Sequence, residues 1–154
     1  MTREGIGIHM AQMSVSRAGN TVLIVEDDQD HFTLIENSIS SGDPDAEICT
    51  VHCADGQIAK EYLEQHAPQS QPRLVLLDLK LPRLNGHELL AWVKSHPDLQ
   101  NIPVVILTTS VSEDDINRAY ACHANSVLTK TLNFAEFRTM LTDAMRYWMR
   151  WNRG

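Results

Sequence analysis

Four short apolar runs punctuate the chain: TVLIV from Thr21, LVLL from Leu74, VVIL from Val104 and the weaker SVL from Ser126. None alternates apolar with polar residues, as a strand with one wet face would. Continuous Val, Ile and Leu mark strands covered on both sides, and therefore a parallel sheet lying between helices. A fifth run, EICTVHC from Glu47, alternates more and suits an outer strand. Between the runs lie segments of helical length with legible ends. Asp55 is placed to cap GQIAKEYLEQH, in which Ile58, Ala59, Tyr62 and Leu63 share a face. GHELLAWVKSH stops before Pro97, Ser112 with Asp115 opens EDDINRAYACH, and Asn133 with Glu136 opens the last helix. Strand and helix thus alternate five times. That order predicts a doubly wound α/β domain, a flavodoxin-like five-stranded parallel sheet in the order 2-1-3-4-5 with right-handed crossovers.

The last helix carries the widest apolar face. Phe134, Phe137, Leu141, Ala144, Met145 and Trp148 recur at helical spacing and are expected in the core. Met140, Tyr147 and Trp151 form a second stripe roughly 80° around, at about 100° per residue. A face this wide predicts burial against a further surface, either another molecule or the N-terminal extension.

Composition narrows the class. The 154 residues suit one domain with a full core, and 43% apolar with 21% charged residues is ordinary for a soluble globular chain. A net charge of -7 argues against a general nucleic-acid binder, and the basic residues cluster only in RYWMRWNR. Cys49 and Cys53 on one strand face would stand about 13 Å apart at about 3.3 Å per residue, too far to bridge. Reduced thiols fit a cytoplasmic protein. No apolar run nears the roughly 20 residues of a membrane span. Residues 1–20 lack the apolar centre of a signal peptide, and GIGIHM includes His9-Met10, a common cloning junction. They are set outside the fold as an N-terminal extension, flexible or partly cloning-derived. The domain is expected over residues 21–147, with 148–154 as helix end and tail.

What ends the strands points to chemistry. Glu26-Asp27-Asp28 follows the first run, Asp78 the third, Thr108-Thr109 the fourth and Thr129-Lys130 the fifth. In a parallel sheet these ends share one edge, where ligands bind at the switch in strand order. In the order 2-1-3-4-5, Glu26, Asp27 and Asp78 converge there. Three carboxylates together resist ionisation without a partner. A small oxygen-seeking cation such as Mg²⁺ and the Lys130 ammonium are the compensators at hand, with Thr108 adding a hydroxyl. A carboxylate in such company can accept a phosphoryl group, and Asp78, alone at the central strand's end, is the nucleophile candidate. Simpler roles exist beside these: Asp27 or Asp28 as a helix cap, Lys130 as a solvated strand-end lysine, Gly86 as a loop residue. The seven histidines show no metal-ligand spacing.

VLIVEDD, LVLLDLKLPRLNG, VVILTTS and SVLTKT, in this order and spacing, resemble the receiver domain of two-component response regulators. The resemblance spans about residues 21–146 and implies a CheY-like receiver. It implies that Asp78 receives a phosphoryl group from the histidine of a sensor kinase. Glu26 and Asp27 would hold Mg²⁺ (or Mn²⁺) with Asp78 and the Lys80 backbone carbonyl, and Thr108 and Lys130 would contact the phosphoryl group. Such a domain is not a turnover enzyme. It signals by altered protein contacts or passes the group along a relay, and the chain's end is expected to leave no output domain. The stretches LPRLNGHELLAWVKSHPDLQNIPVVILTTS and TLNFAEF are similar to the stand-alone regulators paired with bacterial phytochromes, which makes a bacteriophytochrome the narrower partner expected. In many receivers the fourth helix, fifth strand and fifth helix form a homodimer. Met140, Tyr147 and Trp151 suit that use, with Val127 contributing, and neither nucleic acid nor membrane is an expected partner.

Two positions depart from the family pattern. Val127 stands where an aromatic ring commonly swings inward, and Thr131 stands where a proline after a cis bond commonly follows the lysine. A cis bond before a non-proline costs about 2.5–4 kcal/mol, so Lys130-Thr131 is expected to be trans. These departures keep a second function open, an interaction module that phosphorylation does not switch. A third, an aspartate-nucleophile phosphatase, wants an acid two residues after the nucleophile, where Lys80 stands.

Overall fold

The computed structural model describes residues 11–13 and 20–152. Six strands form one sheet: β1 (Ala11–Met13), β2 (Thr21–Val25), β3 (Cys49–Cys53), β4 (Leu74–Leu77), β5 (Val104–Thr108) and β6 (Ser126–Thr129). Between them run α1 (Gln29–Gly42), α2 (Gly56–His66), α3 (Gly86–Ser95), α4 (Glu113–Ala121) and α5 (Phe134–Arg146), the last continuing through a π-helical turn at Tyr147–Trp151. The spatial order is β1-β3-β2-β4-β5-β6. The five strands β2 to β6 are all parallel and lie in the expected order.

The sixth strand corrects the expectation that residues 1–20 stand outside the fold. Ala11–Met13 pairs antiparallel with β3, placing Ala11 opposite Cys53 and Met13 opposite Val51. Without it the fully buried strand β3 would present an open edge, and an edge of unpaired backbone groups is a liability that proteins cover. Three residues are too few to carry a periodic signal, so the pairing had no trace in the sequence. The rest of the extension, and residues 153 and 154 of the tail, lie outside the described residues.

Strand alternation divides the core into two layers. Leu23, Val25, Val75 and Leu77 face α2 and α3, where Ile58, Ala59, Leu63, Leu89, Leu90 and Val93 cover them. Val22, Ile24, Leu74 and Leu76 face α1 and α5, against Phe32, Ile35, Phe137, Leu141 and Met145. Each helix opens on a side-chain cap: Asp28, Asp55, Asn85, Ser112 and Asn133 each accept from backbone N–H groups of the first turn. Of the two candidate caps before α1, Asp28 takes the role, which leaves Asp27 free for other work. Cys49 and Cys53 are buried and unbridged. The cis bond among the described residues is Ala67-Pro68, so Lys130-Thr131 is trans.

On α5 the expected stripe is partly redrawn. Phe137, Leu141 and Met145 are buried, but Phe134 is 68% exposed, while Met149 joins the core. Phe134 has the right angular position, yet it is the first residue of the helix and no layer covers that turn. Ala144 and Trp148 are half-buried. By chemical denaturation, Phe137→Ala is expected to cost about 3–5 kcal/mol and Phe134→Ala within about 0.5 kcal/mol. Equal losses would contradict this division of the stripe.

Candidate functional site

β2 and β4 are neighbours, and both end at the same edge of the sheet. The ladder continues one residue past each end: Glu26 N–H donates to Cys53 O at 3.1 Å and Asp78 N–H to Val25 O at 3.1 Å. These bonds fix the backbone from which the carboxylates project. Glu26, Asp27 and Asp78 each offer an oxygen within 4.8 Å of the others. Glu26 is 1% exposed and Asp78 9%, whereas Asp27 lies open to solvent. The sequence placed these three together, and the structure does the same.

Lys130 arrives from the far side of the sheet. Its backbone N–H donates to Thr108 O at 2.7 Å, extending the β5–β6 ladder. Its ammonium donates to Glu26 Oε1 at 2.5 Å and to Asp78 Oδ2 at 3.3 Å. Burial pushes the Glu26 carboxyl up to about 7 against the opposing pull of Lys130. One buried ammonium thus faces three carboxylates. Charge balance and an all-oxygen donor set fit a small divalent cation such as Mg²⁺ or Mn²⁺.

Thr108 is fully buried, and its hydroxyl accepts from Ser110 N–H at 3.2 Å. Ser110 Oγ donates to Asp115 Oδ2 at 2.6 Å, which holds the Asp115 carboxyl below its usual range. Lys80 follows Asp78 by two residues and donates its backbone N–H to Asp78 Oδ1 at 3.3 Å. The trailing loop returns closely. Gly86 N–H donates to Leu79 O at 3.0 Å, and a Cβ on Gly86 would stand 2.5 Å from Leu79 Cα. Gly86 is therefore more than a loop residue, since its bare backbone lets the start of α3 lie against the Asp78 peptide.

Three histidines that spacing did not single out sit around this edge. His31, in the first turn of α1, places Nδ1 3.0 Å from the Lys130 ammonium. The His52 ring bonds the Glu26 carbonyl at 2.7 Å and stacks on Phe32. His87 is buried, its pKa lowered by desolvation and by Arg118, with Nε2 3.8 Å from Asp115 Oδ1. Only the capping register at Asp28 could have hinted at His31, because it sets that residue in the helix's first turn.

The four dimer candidates do not share one surface. Met140 and Tyr147 line a groove between α5 and β6, and Trp151 is exposed in the π-helical turn. Val127 packs toward the α2–α3 layer instead, and its backbone N–H donates to the Tyr120 hydroxyl at 3.1 Å.

The family model that matches this chain, the response regulator receiver domain, covers residues 22–142. The chain belongs to the response-regulator receiver family. This receiver is 42% identical over 135 residues to the probable methanogenesis regulatory protein FilR2 of Methanothrix harundinacea, covering 86% of each chain. It is 36% identical over 137 residues to response regulator Rcp1 of Synechocystis, covering 87% of this chain and 92% of that one. Among solved structures it resembles the phosphorylated cyanobacterial phytochrome response regulator RcpA, with a TM-score of 0.81 and 34% identity over 88% of this chain and 98% of that one. The Mn²⁺-bound form of Rcp1 matches with a TM-score of 0.78 and 34% identity over 87% and 97% of the two chains. The receiver's relatives thus include phytochrome response regulators, as LPRLNGHELL and TLNFAEF predicted. Among its described residues no helix is long and apolar enough to cross a membrane.

Gly86→Ala is expected to cost this receiver about 1–3 kcal/mol by overpacking. It should also move the backbone amide resonances of Asp78 and Leu79. Unchanged stability and spectrum would mean that the loop yields freely.

Proposed function

We propose that Asp78 of this receiver accepts a phosphoryl group from the phosphohistidine of a sensor kinase. The observation that carries the reading is the convergence of Glu26, Asp27 and Asp78 within 4.8 Å, with Lys130 bonded to both buried acids. An Asp78 carboxylate oxygen forms the bond to phosphorus as the phosphorus–nitrogen bond breaks, and the electron pair leaves on the imidazole. Glu26, Asp27, Asp78 and the Lys80 carbonyl would hold Mg²⁺ or Mn²⁺, which when bound would supply positive charge to the crowded oxygens. Lys130 and the Thr108 hydroxyl receive the phosphoryl oxygens. The protein turns over no substrate of its own, and its output is a change in protein contacts in the cytoplasm.

A bacteriophytochrome is the kinase class that Rcp1 and RcpA favour by their likeness. The likeness to FilR2 makes a kinase of other input the alternative outcome of a phosphotransfer assay. A homodimer forms through α4, β6 and α5: Tyr147 and Trp151 are exposed there, and Met140 lines the adjoining groove. Val127, whose side chain packs toward the α2–α3 layer, is left out of that surface. The net charge of -7 supports protein partners over nucleic acid.

Incubation with Mg²⁺ and acetyl phosphate is expected to give a phosphoryl adduct by intact mass, lost in Asp78→Asn and when EDTA removes the metal. No adduct in the wild type would favour the interaction module that phosphorylation does not switch. Rapid phosphate release from many monoesters would favour the phosphatase. Light scattering at micromolar concentration is expected to show a dimer that Tyr147→Ala with Trp151→Ala weakens at least tenfold, about 1.4 kcal/mol. A wild-type monomer there would overturn the dimer.

A further inference from the structure

Lys130 must be aimed, and the residue after it is Thr131, joined by a trans bond. The aim therefore has to come from the side chains around it. A lysine ammonium carries three N–H donors and no acceptor. The Lys130 side chain is only 7% exposed, so a donor without a protein partner would find little water. Three acceptors surround it: Glu26 Oε1 at 2.5 Å, His31 Nδ1 at 3.0 Å and Asp78 Oδ2 at 3.3 Å. Every donor is used.

Two of these acceptors are carboxylates that a bound cation would also claim. The third is a ring nitrogen that stands outside the acidic cluster. His31 Nδ1 lies 3.9 Å from Glu26 Oε1, beyond hydrogen bonding, so its partner at this site is the ammonium. The residue is itself held, because its backbone N–H donates to Asp28 Oδ1 at 3.0 Å in the first turn of α1. Nδ1 can accept only when the ring proton sits on Nε2.

We infer that His31 is a positioning residue for phosphoryl transfer, acting through Lys130. Its Nδ1 accepts one hydrogen bond from the ammonium and keeps the ammonium at the boundary between Glu26 and Asp78. Without it the freed proton turns the ammonium away, and the contact to Asp78 Oδ2, the longest of the three, goes first. When Asp78 is phosphorylated, Lys130 exchanges Asp78 Oδ2 for a phosphoryl oxygen while Glu26 and His31 still grip the other two protons. This role rests on the phosphoacceptor function proposed for Asp78. The imidazole thereby supplies an aim that the chain after Lys130 does not.

The test uses His31→Ala and His31→Asn, whose amide oxygen can accept close to the Nδ1 position. At saturating Mg²⁺, His31→Ala is expected to slow Asp78 phosphorylation by acetyl phosphate about tenfold, equivalent to about 1.4 kcal/mol. His31→Asn should retain most of the rate. In a Lys130→Ala background His31→Ala should cost nothing more, since residues acting through one another are not additive. Independently of any phosphate, the Lys130 ammonium should give a solvent-protected ¹⁵N signal in wild type and His31→Asn that is lost in His31→Ala. A retained ammonium signal with a wild-type rate in His31→Ala would overturn the inference. So would an equal loss in the Lys130→Ala background. A wild-type protein that takes no phosphoryl group would instead overturn the function of Asp78, and the ammonium signal would still decide the role of His31.

Discussion

Three carboxylates held beside one buried ammonium, at the edge of a sheet with no apolar cover, govern how the rest of this molecule is built. Glu26 and Asp78 are nearly dry, and burying a carboxylate is costly unless opposite charge or hydrogen bonds meet it. Lys130 meets both of them, a single ammonium set against an acidic cluster, while burial pushes the Glu26 carboxyl up. The imbalance is tolerable because the backbone beneath cannot relax. Ladder bonds tie residues 26 and 78 to β3 and β2, so the acids stand where the sheet puts them.

The layers around the sheet serve that rigidity. Alternating strand residues feed two cores, α2 and α3 on one face and α1 and α5 on the other, so no strand can slip without exposing both. The loop after Asp78 is pinned at its far end by Gly86, whose missing side chain allows α3 to start against the Asp78 peptide. Arg83 in that loop adopts a left-handed backbone and pairs with Asp55, the cap of α2. The Thr108 hydroxyl accepts from Ser110 N–H, and the Ser110 hydroxyl donates in turn to Asp115 in the first turn of α4.

With Val127 in place of a ring, no aromatic side chain can swing inward at this position. What the structure offers instead is polar: the Ser110–Asp115 bond, buried His87 beside Asp115, and the Tyr120 hydroxyl on the Val127 amide. Each links α4 to a strand end or to α3. Their common element is the helix that the proposed dimer also uses.

Much of this was legible in the chain, for reasons of period and chemistry. Continuous apolar runs of four or five residues, rich in Val and Ile, mark doubly covered strands. The acids and the lysine that end them had to meet once the strand order was 2-1-3-4-5, because parallel strands put all their ends on one edge. Caps at Asp55, Ser112 and Asn133 were readable because the side chain that closes a helix is adjacent in sequence to the helix it closes. What could not be read depends on neighbours distant in sequence. The pairing of Ala11–Met13 with β3 needs an edge only the assembled sheet creates. The exposure of Phe134 depends on what lies over a turn, not on its phase. His31 meets Lys130 across 99 positions of chain, a contact that no local pattern encodes. Sequence alone determined which residues carry the charge and which face they share. Tertiary structure alone decided which polar groups hold that charge in place, because a hydrogen bond depends on distances that periodicity does not specify.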